Sequence, residues 1–168
     1  NRASAPPVGP SSTSGRAEHE VTRHTSLVTR HGLFVTGTDT GVGKTLVACS
    51  LLRALVARGV RAAGMKPVAS GATPGAGGAT PGAGGLVNDD VERLIESGNV
   101  AAPREHVNPY CFAPAIAPHI AAREAGVAIS LEGIQQSYRV LAALAEVVIV
   151  EGVGGFRVPL GADIDTAK

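Results

Sequence analysis

The stretch FVTGTDTGVGKT, Phe34 to Thr45, carries the strongest chemical signal in the chain. It ends in Gly43-Lys44-Thr45, the end of a phosphate-binding loop. A helix opening near Lys44 offers unpaired backbone N–H groups and the positive end of its dipole to an anion. Gly41 and Gly43 allow the backbone to wrap closely around phosphate oxygens. The Lys44 ammonium can reach terminal phosphates, and the Thr45 hydroxyl can ligate Mg²⁺. The front half departs from the usual G-x-x-x-x-G-K-[ST] pattern. Thr38 stands where the first glycine belongs, and Gly37 comes one position early. A glycine-rich turn with a chance lysine is the competing reading, but an apolar strand before the loop and a helix after it supply the context the motif demands.

Lysine usage adds a second candidate. The chain has 12 Arg, but its lysines are Lys44, Lys66 and Lys168 alone. Arginine presents a broad planar fork, whereas lysine is a compact point charge on a slim stem. Lys66 closes an apolar run beside Pro67, so it is either a site lysine or a surface lysine that snorkels. Glu151 follows Val147–Val150, where a P-loop protein places its second metal-ligand motif; the alternative is a solvated strand-end carboxylate. Asp89 and Asp90 are equal candidates for a further acidic ligand, although acids at a helix start also serve capping and the dipole.

The elements that must position these groups follow from the apolar pattern. Leu33–Thr36 reads as a short buried strand and Gly37–Gly43 as a loop. Lys44–Arg58 reads as a helix with Val47, Leu51, Leu52, Leu55 and Val56 on one face and Gly59 at its C-terminal cap. Val60–Lys66 is a second strand, stopped by Pro67. Asn88 or Asp89 caps a helix running to about Ser97, with Val91, Leu94 and Ile95 inward and Gly98 closing it. Four prolines make residues 103–118 a long irregular connection, and a short helix follows Pro118. Ser130 caps another helix, with Leu131, Ile134, Tyr138 and Leu141 at helical spacing. Val147–Val150 is a strand ending at Glu151 and the turn Gly152-Val153-Gly154-Gly155.

Strands alternating with helices predict an α/β fold, a P-loop-type parallel sheet with helices on both faces. Ligands gather at the carboxyl ends of strands in such a sheet. The Gly37–Thr45 loop, Lys66 and Glu151 all fall at those ends.

Residues 72–85 read ATPGAGG twice, with no large side chain to bury, and are expected to form a flexible surface loop. Residues 1–31 are rich in Pro, Ser, Thr and Arg without apolar periodicity and are expected to be a disordered leader, with a P-loop domain over 32–168. The opening Asn1 suggests a fragment or a processed product. Charge sits unevenly: residues 1–31 hold four Arg and two Glu, net +2, while the remaining 137 hold 11 basic and 12 acidic residues, net −1. A body so balanced gives no electrostatic case for nucleic-acid binding. No apolar run approaches the ~18 residues of a membrane span. Cys49 and Cys111 lack C-x-x-C spacing and read as two reduced thiols of a cytoplasmic protein.

VTGTDTGVGKT, KPVASG, VNPY, APHI and VEGVGG, in order from about Gly32 to Gly161, together resemble dethiobiotin synthetase, the ATP-dependent ligase of biotin synthesis. GKT alone is common; the Thr-Asp-Thr front half followed by KPV-x-SG and VEG-x-GG is specific. The resemblance implies carboxylation of 7,8-diaminononanoate with CO₂ and closure of a cyclic urea, at the expense of ATP and with Mg²⁺. It implies ATP contacts from Gly41, Val42, Gly43, Lys44, Thr45 and Leu46, and from Asp90, Glu151, Gly152, Val153 and Gly154. It places Lys44 on the phosphates, Lys66 on the carbamate, and Thr40 and Ser70 near the diamine and carbamate. It sets Asp90 rather than Asp89 beside Thr45 and Glu151 as metal ligands. Thr38 to Thr40 would then be shaped for the organic substrate as well as for ATP, which accounts for the altered front half of the loop.

Gly41 lies where some members carry an acidic residue. Members also continue past the position of Lys168, adding an adenine-contacting segment and part of a homodimer interface, so the C-terminal part is expected to be absent from this chain. Partitioning or cluster-assembly ATPases, corrinoid amidoligases and a non-catalytic regulatory copy are the alternatives. The first two usually carry a lysine near the loop's front, where this chain has Asp39. Intact Lys44, Lys66, Thr45 and Glu151 argue against a decayed copy.

Overall fold

The computed structural model describes residues 31–75, 85–162 and 164–167. Its elements run β1 (His31–Val35), α1 (Lys44–Val56), β2 (Ala62–Met65), β3 (Val68–Ser70), β4 (Thr73–Pro74), β5 (Leu86–Val87) and α2 (Asp89–Ser97). They continue α3 (Arg104–Val107), β6 (Tyr110–Phe112), α4 (Pro118–Glu124), α5 (Leu131–Leu144) and β7 (Val147–Glu151).

The main sheet is parallel, in the order β1-β7-β2. Its register sets Phe34 opposite Val150 and Met65 opposite the same Val150, so Val35, Lys66 and Glu151 emerge at one edge. Because side chains alternate across a strand, successive residues feed different cores. Val148 and Ala63 point to one face, where α5 supplies Leu141 and α3 supplies Val107. Ile149 and Ala62 point to the other, beneath Ala48 and Leu52 of α1. α2 contributes to both, through Val91 and Leu94. Helices thus cover both faces of a parallel sheet, the α/β architecture expected.

α1 approaches the sheet more closely than its apolar residues suggest. A Cβ on Gly64 would sit 2.8 Å from Leu94 Cβ and 3.1 Å from Leu52 Cδ1. Only a strand residue without a side chain lets both helices lie this close. The buried stripe of α1 is therefore Ala48, Cys49 and Leu52, while Val47 and Leu51 of the expected face are exposed. Ile95 of α2 is likewise exposed. β1 is an edge strand with Leu33 and Phe34 about half exposed, not the buried strand expected, because it pairs with β7 on one side only among the described residues. It begins at His31, inside the expected leader; the rest of that segment lies outside the described residues.

Residues 103–118 also differ from expectation. They contain α3 and β6, and β6 pairs in parallel with β3 to form a second, two-stranded sheet. Its core joins Val68 and Phe112 to Ala121 and Ala122 of α4. Both N-terminal caps expected from sequence are present, with Asn88 rather than Asp89 at α2: Asn88 Oδ1 accepts from the Asp90 and Val91 N–H groups, and Ser130 Oγ accepts from the Gly133 N–H. Both cysteines are free, and burial pushes the Cys111 thiol pKa up.

The repeat springs from a narrow neck. β4 and β5 pair antiparallel, and the Gly75 N–H donates to the Gly85 carbonyl at 2.6 Å. Most of the repeat itself, residues 76–84, lies outside the described residues. Deleting one ATPGAGG unit keeps every neck residue type and leaves two residues between the paired glycines, the shortest loop that closes a hairpin. Loop-closure free energy changes by only ~0.6 kcal/mol per doubling of length. The deletion is expected to leave the melting temperature nearly unchanged. A drop of several degrees in a thermal melt would mean that the repeat packs against the domain.

Candidate active site

The loop between β1 and α1 is held by two kinds of glycine. Gly41 and Gly43 have φ of 77° and 99°, the left-handed region that side chains resist. Gly37 is needed for space: a Cβ there would lie 2.7 Å from Val42 Cγ2 and 3.2 Å from Lys44 Cγ. The early glycine therefore makes room for the lysine stem to fold back over the loop. Lys44 is 9% exposed, and its ammonium donates to the Asp39 carbonyl at 2.6 Å.

Lys66 and Glu151 leave adjacent strands and meet. The Lys66 ammonium donates to Glu151 Oε1 at 2.7 Å and to Asp90 Oδ2 at 2.8 Å. Thr45 Oγ donates to the same Glu151 Oε1 at 2.8 Å. Lys66 is 5% exposed and Glu151 1%, so neither is the solvated surface residue of the competing readings. Asp90, not Asp89, takes part, because the Asn88 cap sets the phase of α2 so that Asp90 turns toward Lys66 and Asp89 toward solvent. Burial acts to raise the Asp90 pKa, but the hydrogen bond and charge of Lys66, helped by Thr45 and Arg93, outweigh it and hold the carboxyl below its ordinary value.

Two asparagine side chains fix this geometry: Asn108, for which the sequence suggests no role, and Asn88, expected only as a helix cap. Asn108, buried in VNPY, donates from Nδ2 to the Lys66 carbonyl at 2.6 Å, and the Lys66 N–H donates to the Val107 carbonyl at 2.9 Å. The backbone of Lys66 is thus gripped on both sides. Asn88 donates from Nδ2 to the Ser70 carbonyl at 3.3 Å, tying β3 to the start of α2. Asn108 followed by Pro109 gives little hint of its contact, and a cap position gives none of the Asn88 bond to β3.

These groups line one cleft of about 710 Å³. Thr40, Gly41, Gly43, Lys44 and Thr45 form one wall, and Lys66, Ser70, Asp90 and Glu151 its base. Val153 and Gly154 border it as well, while the segment Ala115–Pro118 closes the far side. Three residues expected at the nucleotide do not line it. The side chains of Val42 and Leu46 are exposed, and Gly152 packs under Phe34, where a Cβ would come within 2.9 Å of Phe34 Cζ. A phosphate contact from these three would have to come from the main chain.

The oxygen donors Thr45, Asp90 and Glu151 suit a hard cation such as Mg²⁺. Among the described residues no group of three or more His, Cys, Asp or Glu could hold a metal ion unaided. Mg²⁺ at phosphate sites ordinarily takes one or two carboxylates and completes its shell with phosphates and water, so this donor set fits. Glu151 Oε2, buried and without a hydrogen-bond partner, is a further acceptor left open. Among the described residues no helix is long and apolar enough to cross a membrane.

Three curated relatives carry the name ATP-dependent dethiobiotin synthetase BioD. The chain is 50% identical to that of Nitrosospira multiformis over 129 residues, 77% of this chain and 52% of the relative. It is 49% identical to that of Janthinobacterium sp. (strain Marseille) and 48% identical to that of Xylella fastidiosa (strain 9a5c), each over 134 residues, 80% of this chain and 56% of the relative. The chain thus spans about half the length of the curated relatives it matches. A family model described as AAA domain matches residues 31–167, which contain the loop, both site lysines and both site carboxylates. The chain therefore belongs to this AAA domain family, AAA_26.

Proposed function

We propose that this chain is the ATP-binding part of a dethiobiotin synthetase, acting in the cytoplasm and, in the complete protein, as a homodimer. One amine of 7,8-diaminononanoate takes up CO₂ and loses a proton to become a carbamate. A carbamate oxygen attacks the γ-phosphorus of ATP, ADP leaves, and a carbamic-phosphoric anhydride remains. The second amine attacks the carbamate carbon, phosphate departs, and the cyclic urea closes.

The convergence of Lys44 and Lys66 on one cleft is the observation that carries this reading. The chemistry sets one anion, the carbamate, against another, the γ-phosphate, so fixed cations near both are the main catalytic requirement. Lys44 serves the phosphates. Lys66 serves the carbamate, with Thr40 and Ser70 orienting the diamine. Thr45, Asp90 and Glu151 hold Mg²⁺, which when bound offsets phosphate charge. The names of the relatives and the fit of the donor set to a hard cation support these assignments.

In the complete gene product, ADP should form only when diamine and CO₂ are both present. ATP hydrolysis that ignores the diamine would count against the proposal and favour another P-loop ATPase.

A further inference from the structure

We propose that, without nucleotide, the Lys66 ammonium sits in the place of the divalent cation, and that the arriving cation displaces it into the cleft. This rests on the reading of Thr45, Asp90 and Glu151 as the cation's ligands. The ammonium already bridges two of the three, at 2.8 Å from Asp90 Oδ2 and 2.7 Å from Glu151 Oε1. Thr45 Oγ converges on the same Oε1, which thereby accepts two hydrogen bonds. A cation ligated by these oxygens needs the lone pairs that the ammonium and hydroxyl now use. It also brings a double positive charge against a buried ammonium, so the two cations cannot share the carboxylates at close range.

Glu151 Oε2, buried and without a hydrogen-bond partner, is a further lone-pair donor for the cation once the ammonium has turned away. The backbone of Lys66 cannot give way, because Val107 and Asn108 hold its N–H and carbonyl. The displacement therefore falls to the side-chain torsions, and the cleft that Lys66 lines is the space into which the ammonium can turn. The exchange makes Lys66 available to an anionic substrate only after the metal is in place.

The test uses the complete gene product free of nucleotide. Nitrogen-15 NMR follows the lysine ammonium groups during a Mg²⁺ titration, with Lys66→Met identifying the Lys66 signal. Mn²⁺ binding to both proteins is measured by electron paramagnetic resonance, with Mg²⁺ competition defining saturation. The Lys66 signal is expected to shift or vanish as Mg²⁺ binds, and Lys66→Met to bind Mn²⁺ tighter by ~10-fold or more, within the usual range of coupled sites. A wild type that takes up no Mn²⁺ while Lys66→Met does would overturn the exchange, because the ammonium would then bar the cation instead of yielding to it. A Lys66 signal unmoved at Mg²⁺ saturation overturns it, even if Lys66→Met binds tighter, since loss of charge alone would explain that gain. If neither protein binds Mn²⁺ alone, the same titration with ADP present decides, since phosphates complete the cation's shell; failure to bind Mn²⁺ there as well overturns the ligand assignment and the exchange with it. Should Lys66→Met not fold, the lysine signal that responds to Mg²⁺ in a Lys44→Met background decides.

Discussion

Lys66→Arg is expected to lose at least ~10²-fold in turnover, about 2.7 kcal/mol of transition-state stabilisation, while its affinity for ATP stays within a few-fold. Charge is conserved, so a long-range electrostatic role would survive the change. A point-charge role would not. The Lys66 ammonium fits between two carboxylates at 2.7 and 2.8 Å, in a pocket that leaves it 5% exposed. The guanidinium is wider, planar and differently aimed, and it would clamp Asp90 and Glu151 rather than turn to a substrate. Lys44→Arg should behave differently. Its ammonium lies over the loop, against the Asp39 carbonyl at 2.6 Å, so the larger head would crowd the phosphate position and weaken ATP binding as well as turnover. A nucleotide titration beside steady-state kinetics separates the two effects. Near-normal turnover in Lys66→Arg would remove Lys66 from the catalytic residues.

Glu151→Ala should destabilise the fold by ~3–5 kcal/mol, the usual consequence of breaking a buried ion pair from one side. Glu151 is 1% exposed and neutralises a lysine that is itself buried. Asp90, more than a third exposed, remains as a weaker partner. The double variant Lys66→Met/Glu151→Leu removes both buried charges and is expected to recover most of the loss, because apolar residues of similar size often replace such pairs without penalty. Denaturant titrations of the two single variants and the double complete the cycle. A Glu151→Ala protein as stable as its parent would show that water or a rearranged Asp90 already solvates Lys66, and the tight site inferred above would have to be abandoned.

Much of this arrangement was legible in the sequence where residue type forces geometry. The glycines of the loop, the Asn88 and Ser130 caps and the apolar run before Glu151 each have few alternatives. Legibility failed where the decisive partner is distant in sequence. β6 holds three residues between prolines, and only pairing with β3 makes it a strand. The face of α1 differs from expectation because its apolar residues nearly encircle the helix, and Gly64 on the sheet, not hydrophobicity alone, admits Leu52 to the contact. Asp89 and Asp90 are chemically equal on paper; a cap one residue upstream decides between them. Asn108 could not be found from its neighbours, since what it holds is the carbonyl of Lys66, 42 positions away.

The neck between Gly75 and Gly85 also makes this domain a receptacle. The chain departs and rejoins across a single 2.6 Å hydrogen bond, so any guest whose ends meet within a hairpin's width can be spliced there without moving either anchor. Those anchors lead directly to Ser70 on one side and to Asn88 and Asp90 on the other. A lineage can therefore append a peptide or a small module at the rim of the cleft by insertion alone. For the same reason, a fluorophore carried on a spliced peptide would sit where any change in the spacing of β3 and α2 alters its emission.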